Sequence, residues 1–428
     1  MNTRTLCSPP ALATLNLRPK STSPFRFQSR QVVARGRASV YADLCFLTYA
    51  KNRPHPEKVS RGGEDAWFVR IDPSGGAFGV ADGVGGYEEY NIDPGLYARN
   101  LMLVAEQTTA AQGQELDPQA AIAAGHASTE LPGACTACVL QLDGEKNTLL
   151  AANVGDSGFR IIRNGKMVFT SPSLQHYFDC PYQLCWDGQD ADIQSDTADD
   201  ADLFHIELKE GDLIVAASDG LFDNVYPEDI EEVINAQMEN FAGNQLQGIQ
   251  AAATALSGLA SEHAADEFYD SPYAKECTAD EEELLKAQTD TMAKKAGAFG
   301  GLVGGVANLM QQEPCVLGGK QDDITIVLAV VVDKRRESAA LTEAAKQAAE
   351  DLSEIRTRLE TALKVQEAQA QAQKEKPKKT PVSGTSFTRE EIEGMDKKLL
   401  QNILKQNDLP TSGKLDKLKE RVMELYSL

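Results

Sequence analysis

The chain has 428 residues, 42% of them hydrophobic, enough to bury a sizeable core and leaving room for more than one domain. Its net charge is −22, and seven of its 42 basic residues lie in the first 42 positions, which hold no acid, so 35 basic residues face all 64 acidic ones beyond. That balance excludes a protein whose main body binds nucleic acid broadly.

Residues 1–42 are rich in Ser, Thr, Arg and Pro, and "QVVARGRASVYAD" offers small residues for a processing cut. The segment reads as an organelle transit peptide, of chloroplast rather than mitochondrial type, with a plain disordered tail as the alternative. From 43 to 333, short apolar runs alternate with turn signals. "AWFVRID", "AFGVAD", "CTACVLQLD", "NTLLAANVGD", "GFRIIRNGKMVF", "DLFHIELKEGDLIVAASDG" and "DDITIVLAVVVD" read as strands. The "RNGK" of Arg163 to Lys166 predicts a two-residue hairpin. Helices are expected at Pro94–Gln112, Pro118–Thr129, Pro227–Met238 and Leu246–Phe268. Runs of strands broken by groups of helices indicate an α+β fold, a β-sandwich flanked by helices.

Cys135 and Cys138 form a C-x-x-C, but residues three apart on one strand face opposite sides, so the pair reads as buried and structural rather than as a metal or redox site. Asp187 to Asp202 carries seven acids and no base and reads as a solvated loop. Ala296 to Met310 comes nearest to a membrane span, yet it is short and holds five glycines, as a packed or mobile loop would.

Residues 334–376 change character. Leu341, Ala345, Ala348, Leu352, Ile355, Leu359 and Ala362 fall at alternating four- and three-residue steps. This heptad stripe suits a long helix, either docked on the main domain or in a coiled coil. Residues 377–388 read as a linker and 389–428 as a small helical module. From Lys376 onward there are eleven basic and eight acidic residues, a basic island on an acidic protein.

Within 43–333 the acids recur at strand ends. Glu64 and Asp65 precede a strand, and Asp82-Gly83 follows one. Asp156 stands beside glycine after a third. Asp219-Gly220 ends a fourth, with Asp223 close behind, and Asp322 and Asp323 open the last. Each alone is an ordinary turn residue. Together at one end of a sandwich they would repel, at about 1 kcal/mol per pair 4 Å apart in water and about 4 near a protein surface. Divalent cations remove that penalty, and oxygen-only ligation selects Mg²⁺ or Mn²⁺. Two such ions about 3.5–4 Å apart activate water and clamp a phosphoryl group, and Gly83 offers a carbonyl as a further ligand. The reaction class indicated is phosphate-ester hydrolysis.

The ordered set "GGEDA", "ADGVGG", "NVGDSG", "ASDGLFDN" and "QDDIT" resembles the metal-dependent serine/threonine phosphatases of the protein phosphatase 2C family. The stretches "PHPEKVSRGGEDAWFV" and "QHYFDCPYQL" resemble its organellar branch. The resemblance implies that Asp65 and Asp82 hold two Mn²⁺ or Mg²⁺ ions, with Gly83 giving its carbonyl and Glu64 acting through water. It implies Asp219 and Asp322 as further ligands, and Asp156 and Asp223 as a weaker third site. Arg61 would bind phosphate, with Lys58 as the alternative. Many members carry a histidine as general acid where Val84 stands here, and His176 is a substitute candidate. The implied activity is hydrolysis of phosphoserine and phosphothreonine in organellar phosphoproteins, thylakoid or photosystem proteins among them, by a metal-activated water.

Met395 to Leu425 is similar to a SAP-type helix–turn–helix, with Leu399, Leu400, Ile403, Leu404, Leu409, Leu415, Leu418 and Val422 as its core. Such modules bind DNA or RNA, here through Lys397, Lys398, Lys414, Lys417 and Arg421, or else a protein partner. Two rival readings follow: an inactive phosphatase-like scaffold, or a nucleic-acid tether acting through this module.

Overall fold

Two five-stranded antiparallel sheets face each other, and helices cover their outer surfaces. The structure, a computed structural model, describes residues 44–72, 74–85, 92–113, 115–186, 195–280, 317–375, 387–406 and 415–426. The transit-like segment, residues 187–194 of the acidic stretch, the glycine-rich 296–310 and most of the linker lie outside these.

In chain order the strands are β1 (Leu44–Arg53), β2 (Ala66–Arg70), β3 (Ala77–Ala81), β4 (Gly133–Cys135), β5 (Ala137–Asp143), β6 (Thr148–Val154) and β7 (Gly158–Arg163). There follow β8 (Lys166–Thr170), β9 (Gln175–Tyr177), β10 (Cys180–Pro181), β11 (Leu184–Trp186), β12 (Asp202–Glu207), β13 (Leu213–Ala217) and β14 (Ile324–Asp333). One sheet runs β1-β14-β13-β7-β8 and the other β12-β6-β5-β3-β2, while β4–β11 and β9–β10 form two small ribbons.

Strand alternation assigns each side chain to a layer. In β1, Leu44 and Phe46 meet Phe78, Leu140, Phe159 and Ile214 between the sheets, whereas Cys45 and Leu47 face the outer helices. All ten residues of β14 are buried, which is why that strand is apolar without alternation.

Helices α1 (Pro94–Ala111) and α2 (Pro118–Ala127) cover one sheet. On the other side stand α3 (Asp219–Phe222), α4 (Pro227–Asn240) and α5 (Gln245–Ala265). The Asp93 and Asp117 carboxylates cap α1 and α2 by accepting from the amides of Gly95 and Ala120, each with proline at the first turn. In the β7–β8 hairpin Asn164 and Gly165 both take positive φ, 52° and 74°, as a two-residue turn of type I′ requires.

One expectation needs correction at Thr136. "CTACVLQLD" forms two strands rather than one, because β4 pairs with β11 and β5 with β3 and β6. Cys135 faces the helices and Cys138 the space between the sheets, both buried, and burial pushes both thiols well above their ordinary range.

The chain divides into two compact units, Met1–Glu360 and Thr361–Leu428. A helix, Ser338–Glu375, begins in the first. There Ala344 is buried in the apolar cluster it shares with residues of β1, β14 and α5, with Ala340 and Leu341 packed beside it, so the start of this helix, including Leu341 of the stripe, is docked. Ala348, Ile355 and Leu359 are also buried. In the second unit, helices Arg389–Glu393, Lys397–Gln406 and Leu415–Tyr426 share a core of Ile392, Met395, Leu400, Ile403, Leu404, Leu418, Val422 and Leu425. Of the expected core residues, Leu399 and Leu415 are instead 47% and 38% exposed, and Leu409 lies outside the described residues. Lys397, Lys398 and Lys417 are exposed and Arg421 is half-buried, while Lys414 also falls outside.

Candidate active site

Strand register gathers the acids. Ala66 pairs with Ala81, so Asp65 and Asp82 extend from the same end of β2 and β3. Ala217 pairs with Ile326, so Asp219 and Asp322 sit just past the matching end of β13 and β14. Asp156 follows β6 in the turn to β7. The result is a cavity of 540 Å³ whose wall includes Lys58, Arg61, Asp82, Asp156, Asp219 and Asp322.

The segment before β2 is locked in place. Gly62 and Gly63 both have positive φ, 87° and 80°, and a side chain on Gly63 would collide with Asp323. That turn lets the amides of His55 and Glu64 donate to the two oxygens of Asp323 at 2.6 and 2.7 Å. Arg99 of α1 donates to the Gly63 carbonyl from outside. Glu64 is fully buried and pairs with Lys58 Nζ at 2.5 Å and Arg61 Nη2 at 2.9 Å.

Gly83 is required for a different reason: a Cβ there would stand 2.6 Å from the Glu64 carbonyl oxygen. Its contact with Cys135 runs through its neighbours, the Val84 amide donating to Ala134 and the Thr136 amide to Asp82. Antiparallel geometry then turns Gly83's own carbonyl away from β4. The Asp82 amide donates to Thr136 Oγ1 at 3.0 Å, and this hydroxyl meets Ser157 Oγ at 2.7 Å.

The electrostatics are those of crowded anions. Burial, with Asp219, Asp65 and Asp322 nearby, holds the Asp82 carboxyl well above the carboxylate range. Asp65 is raised by burial and by Asp323. Burial and Asp219 bring Asp322 up to about 6 and Asp156 up to about 7. Asp219 goes the other way: burial raises it, but the Lys320 charge, with hydrogen bonds from Asp82, Lys320 and the Gly220 backbone, together bring it below its ordinary value.

These residues fit a pair of divalent cations. The donor set is all oxygen. Asp65 Oδ1 and Asp219 Oδ1 are buried with no hydrogen-bond partner among the described residues, which is costly unless a cation takes them up. As the side chains lie, no three His, Cys, Asp or Glu among the described residues stand in ready metal-ligand geometry, and lysines hold several of the oxygens.

A pH dependence follows. A carboxyl raised in the folded state stabilises it below about pH 4 and loses that contribution as pH rises through the folded value. For Asp322 and Asp156 the window closes near pH 6 and 7. The metal-free protein is therefore expected to melt about 5 °C lower at pH 8 than at pH 5. Thermal melts of wild type and Asp156→Asn check this: the variant should lose part of the slope, and an unchanged slope counts against the assignment.

Comparison with curated proteins gives 36% identity over 280 residues to probable protein phosphatase 2C 1 of Oryza sativa subsp. japonica, spanning 65% of this chain and 73% of that one. Probable protein phosphatase 2C 26 of Arabidopsis thaliana is 34% identical over 279 residues, spanning 65% and 81%. The chain belongs to the protein phosphatase 2C family. Among solved structures, the photosystem II phosphatase PBCP is similar at 33% identity with a TM-score of 0.52, over 67% of this chain and 98% of that one. No protein-family model matches the chain. The protein is an enzyme, a protein-serine/threonine phosphatase.

In this phosphatase the structure brings Arg61, Asp82, Gly83, Asp156, Asp219 and Asp322 to the cavity wall, with Glu64 and Asp65 buried behind it. Asp223 joins the cluster through Lys320, at 3.0 Å. It separates Asp322 from Asp323: the first faces the cavity, the second clamps backbone amides. His176 does not reach the cavity. It stacks on Tyr182 and bonds to Asp196 Oδ2 at 2.9 Å. Sequence reasoning missed His55, Asp179 and Lys320, all on the cavity wall. The "PHPEK" around His55 was the available signal, whereas Asp179 and Lys320 carry none beyond proximity in space.

Arg61 and Lys58 both face the cavity; Arg61 pairs with Glu64, and Lys58 with Glu64 while also lying within 3.7 Å of Asp322 and Asp323. Arg61→Ala is expected to lower kcat/KM for a phosphopeptide about tenfold, the scale of one charge-assisted contact. Steady-state kinetics check it; an unchanged kcat/KM would make Lys58 the phosphate ligand.

Proposed function

We propose that this phosphatase hydrolyses phosphoserine and phosphothreonine in plastid phosphoproteins, photosystem proteins among them, with two Mn²⁺ or Mg²⁺ ions held by Asp65, Asp82, Asp219 and Asp322 and by the Gly83 carbonyl. The observation that carries the metal reading is the pair of buried oxygens on Asp65 and Asp219 that have no hydrogen-bond partner among the described residues, inside a ring of carboxyls. When bound, such ions supply Lewis-acid activation of water and neutralise phosphoryl charge.

The chain's own residues do the rest. Arg61 and Lys58 receive the phosphoryl oxygens, and Glu64 orients both cations from behind. His55 serves as proton donor to the leaving alcohol. The Glu57 amide donates to its Nδ1 at 3.2 Å, which leaves the neutral ring's proton on Nε2. Val84 supplies no proton. The plastid and photosystem assignment is supported by the composition of residues 1–42 and by the likeness to PBCP.

The test is release of phosphate from a phosphothreonine peptide by the full chain, with Mn²⁺ and with EDTA. Turnover that requires Mn²⁺ is expected, and import of a residues 1–42 fusion into chloroplasts tests the location. No turnover from a folded protein in Mn²⁺ would favour the inactive scaffold, and a fusion that stays in the cytosol would remove the plastid assignment.

A further inference from the structure

We propose that Lys320 is a built-in third cation of this phosphatase, its ammonium standing among Asp219, Asp223 and Asp179 where a third divalent ion would otherwise bind. This rests on the two-ion reading of the neighbouring site and goes beyond it. Lys320 Nζ lies 2.5 Å from Asp219 Oδ2, 3.0 Å from Asp223 Oδ2 and 3.3 Å from Asp179 Oδ1. Its side chain is 14% exposed.

The residue is held at both ends. The buried Asn224 side chain accepts from the Lys320 amide at 2.9 Å and donates to the Lys320 carbonyl at 2.8 Å, and to the Gly220 carbonyl at 3.0 Å. At the far end the ammonium lies 5.2 Å from the Tyr273 ring centroid, and the Tyr273 hydroxyl donates to Asp179 Oδ2. A lysine fixed by its backbone on one side and three carboxylates on the other is a placed charge.

Asp219 shows the division of labour. Its Oδ2 is taken by Lys320 while its Oδ1 is buried with no hydrogen-bond partner among the described residues. One oxygen is thus left for the ion pair and the other is committed to the lysine. Asp223, which the family resemblance assigns to a third ion with Asp156, has one oxygen on the same ammonium. A divalent ion at that point would sit within about 4 Å of a fixed positive charge, so these residues do not fit a third ion while Lys320 is in place. A tethered ammonium needs no recruitment from solution, so the charge of Asp219 stays compensated at any free-metal concentration.

The experiment counts bound Mn²⁺ on the full chain by equilibrium dialysis up to millimolar free metal, for wild type, Lys320→Met and Lys320→Arg. Two ions per wild-type chain are expected, three for Lys320→Met, and two for Lys320→Arg. The Lys320→Met protein should also need about tenfold more Mn²⁺ for half-maximal turnover. Three ions on the wild type, or two on a folded Lys320→Met, would overturn the proposal. If Lys320→Met fails to fold, the wild-type count decides between two and three. A wild type that binds no Mn²⁺ overturns the two-ion reading itself, a result distinct from either count.

Discussion

Asp82→Asn is expected to lower Mn²⁺-dependent turnover about a thousandfold, roughly 4 kcal/mol of barrier, while leaving the metal-free protein at least as stable as wild type. The two halves have one cause. Asp82 stands at the end of β3 against Asp219, Asp65 and Asp322, and its burial, with their charges, holds its carboxyl well above the usual range. A neutral amide of the same shape relieves that repulsion when no cation is present, and it removes an anionic ligand when one is. A variant that merely damaged the fold would lose activity and stability together. Paired measurements of kcat and of Tm in EDTA at pH 8 therefore separate the roles. A Tm several degrees below wild type would assign Asp82 a structural part instead.

Asp323→Ala should act oppositely, through the scaffold. Asp323 is 1% exposed, and its two oxygens accept from the His55 and Glu64 amides. Truncation leaves one buried and one half-buried amide without its acceptor, a loss of about 4 kcal/mol, or about 7 °C in Tm. The segment from His55 to Asp65 carries Lys58, Arg61 and Glu64, so activity should fall with stability rather than apart from it. Differential scanning calorimetry beside kinetics checks this, and a Tm within 2 °C of wild type, about 1 kcal/mol, would show that the clamp is dispensable.

Much of the fold was legible because it rests on local signals. Proline after an aspartate cap announced α1, α2 and, without the cap, α4; "RNGK" announced the β7–β8 turn. The apolar run of β14 announced a strand, and the structure shows all ten of its residues buried. The break at Thr136 was not legible. Nothing in "CTACVLQLD" tells that β4 leaves its sheet to pair with β11, a choice made by long-range hydrogen bonding. The core of the C-terminal helices was half legible: helical spacing found Leu400, Ile403, Leu404, Leu418 and Val422, but not that a third helix brings Ile392 in while Leu399 and Leu415 turn outward.

At the site, the sequence alone determined which carboxylates end strands, since an apolar run followed by Asp-Gly is a local pattern read by local sterics. The resemblance singled out Asp322 of two adjacent acids, but what its neighbour Asp323 does was decided only in three dimensions. Composition and spacing do not tell Asp322 from Asp323, and what gives Asp323 its separate part is that it faces the amides of a segment some 260 residues earlier in the chain. Lys320 was likewise an unremarked base two residues before them. Its neighbours Asp179 and Asp219 arrive from the β9–β10 turn and the start of α3, and charge interacts through space, not along the chain.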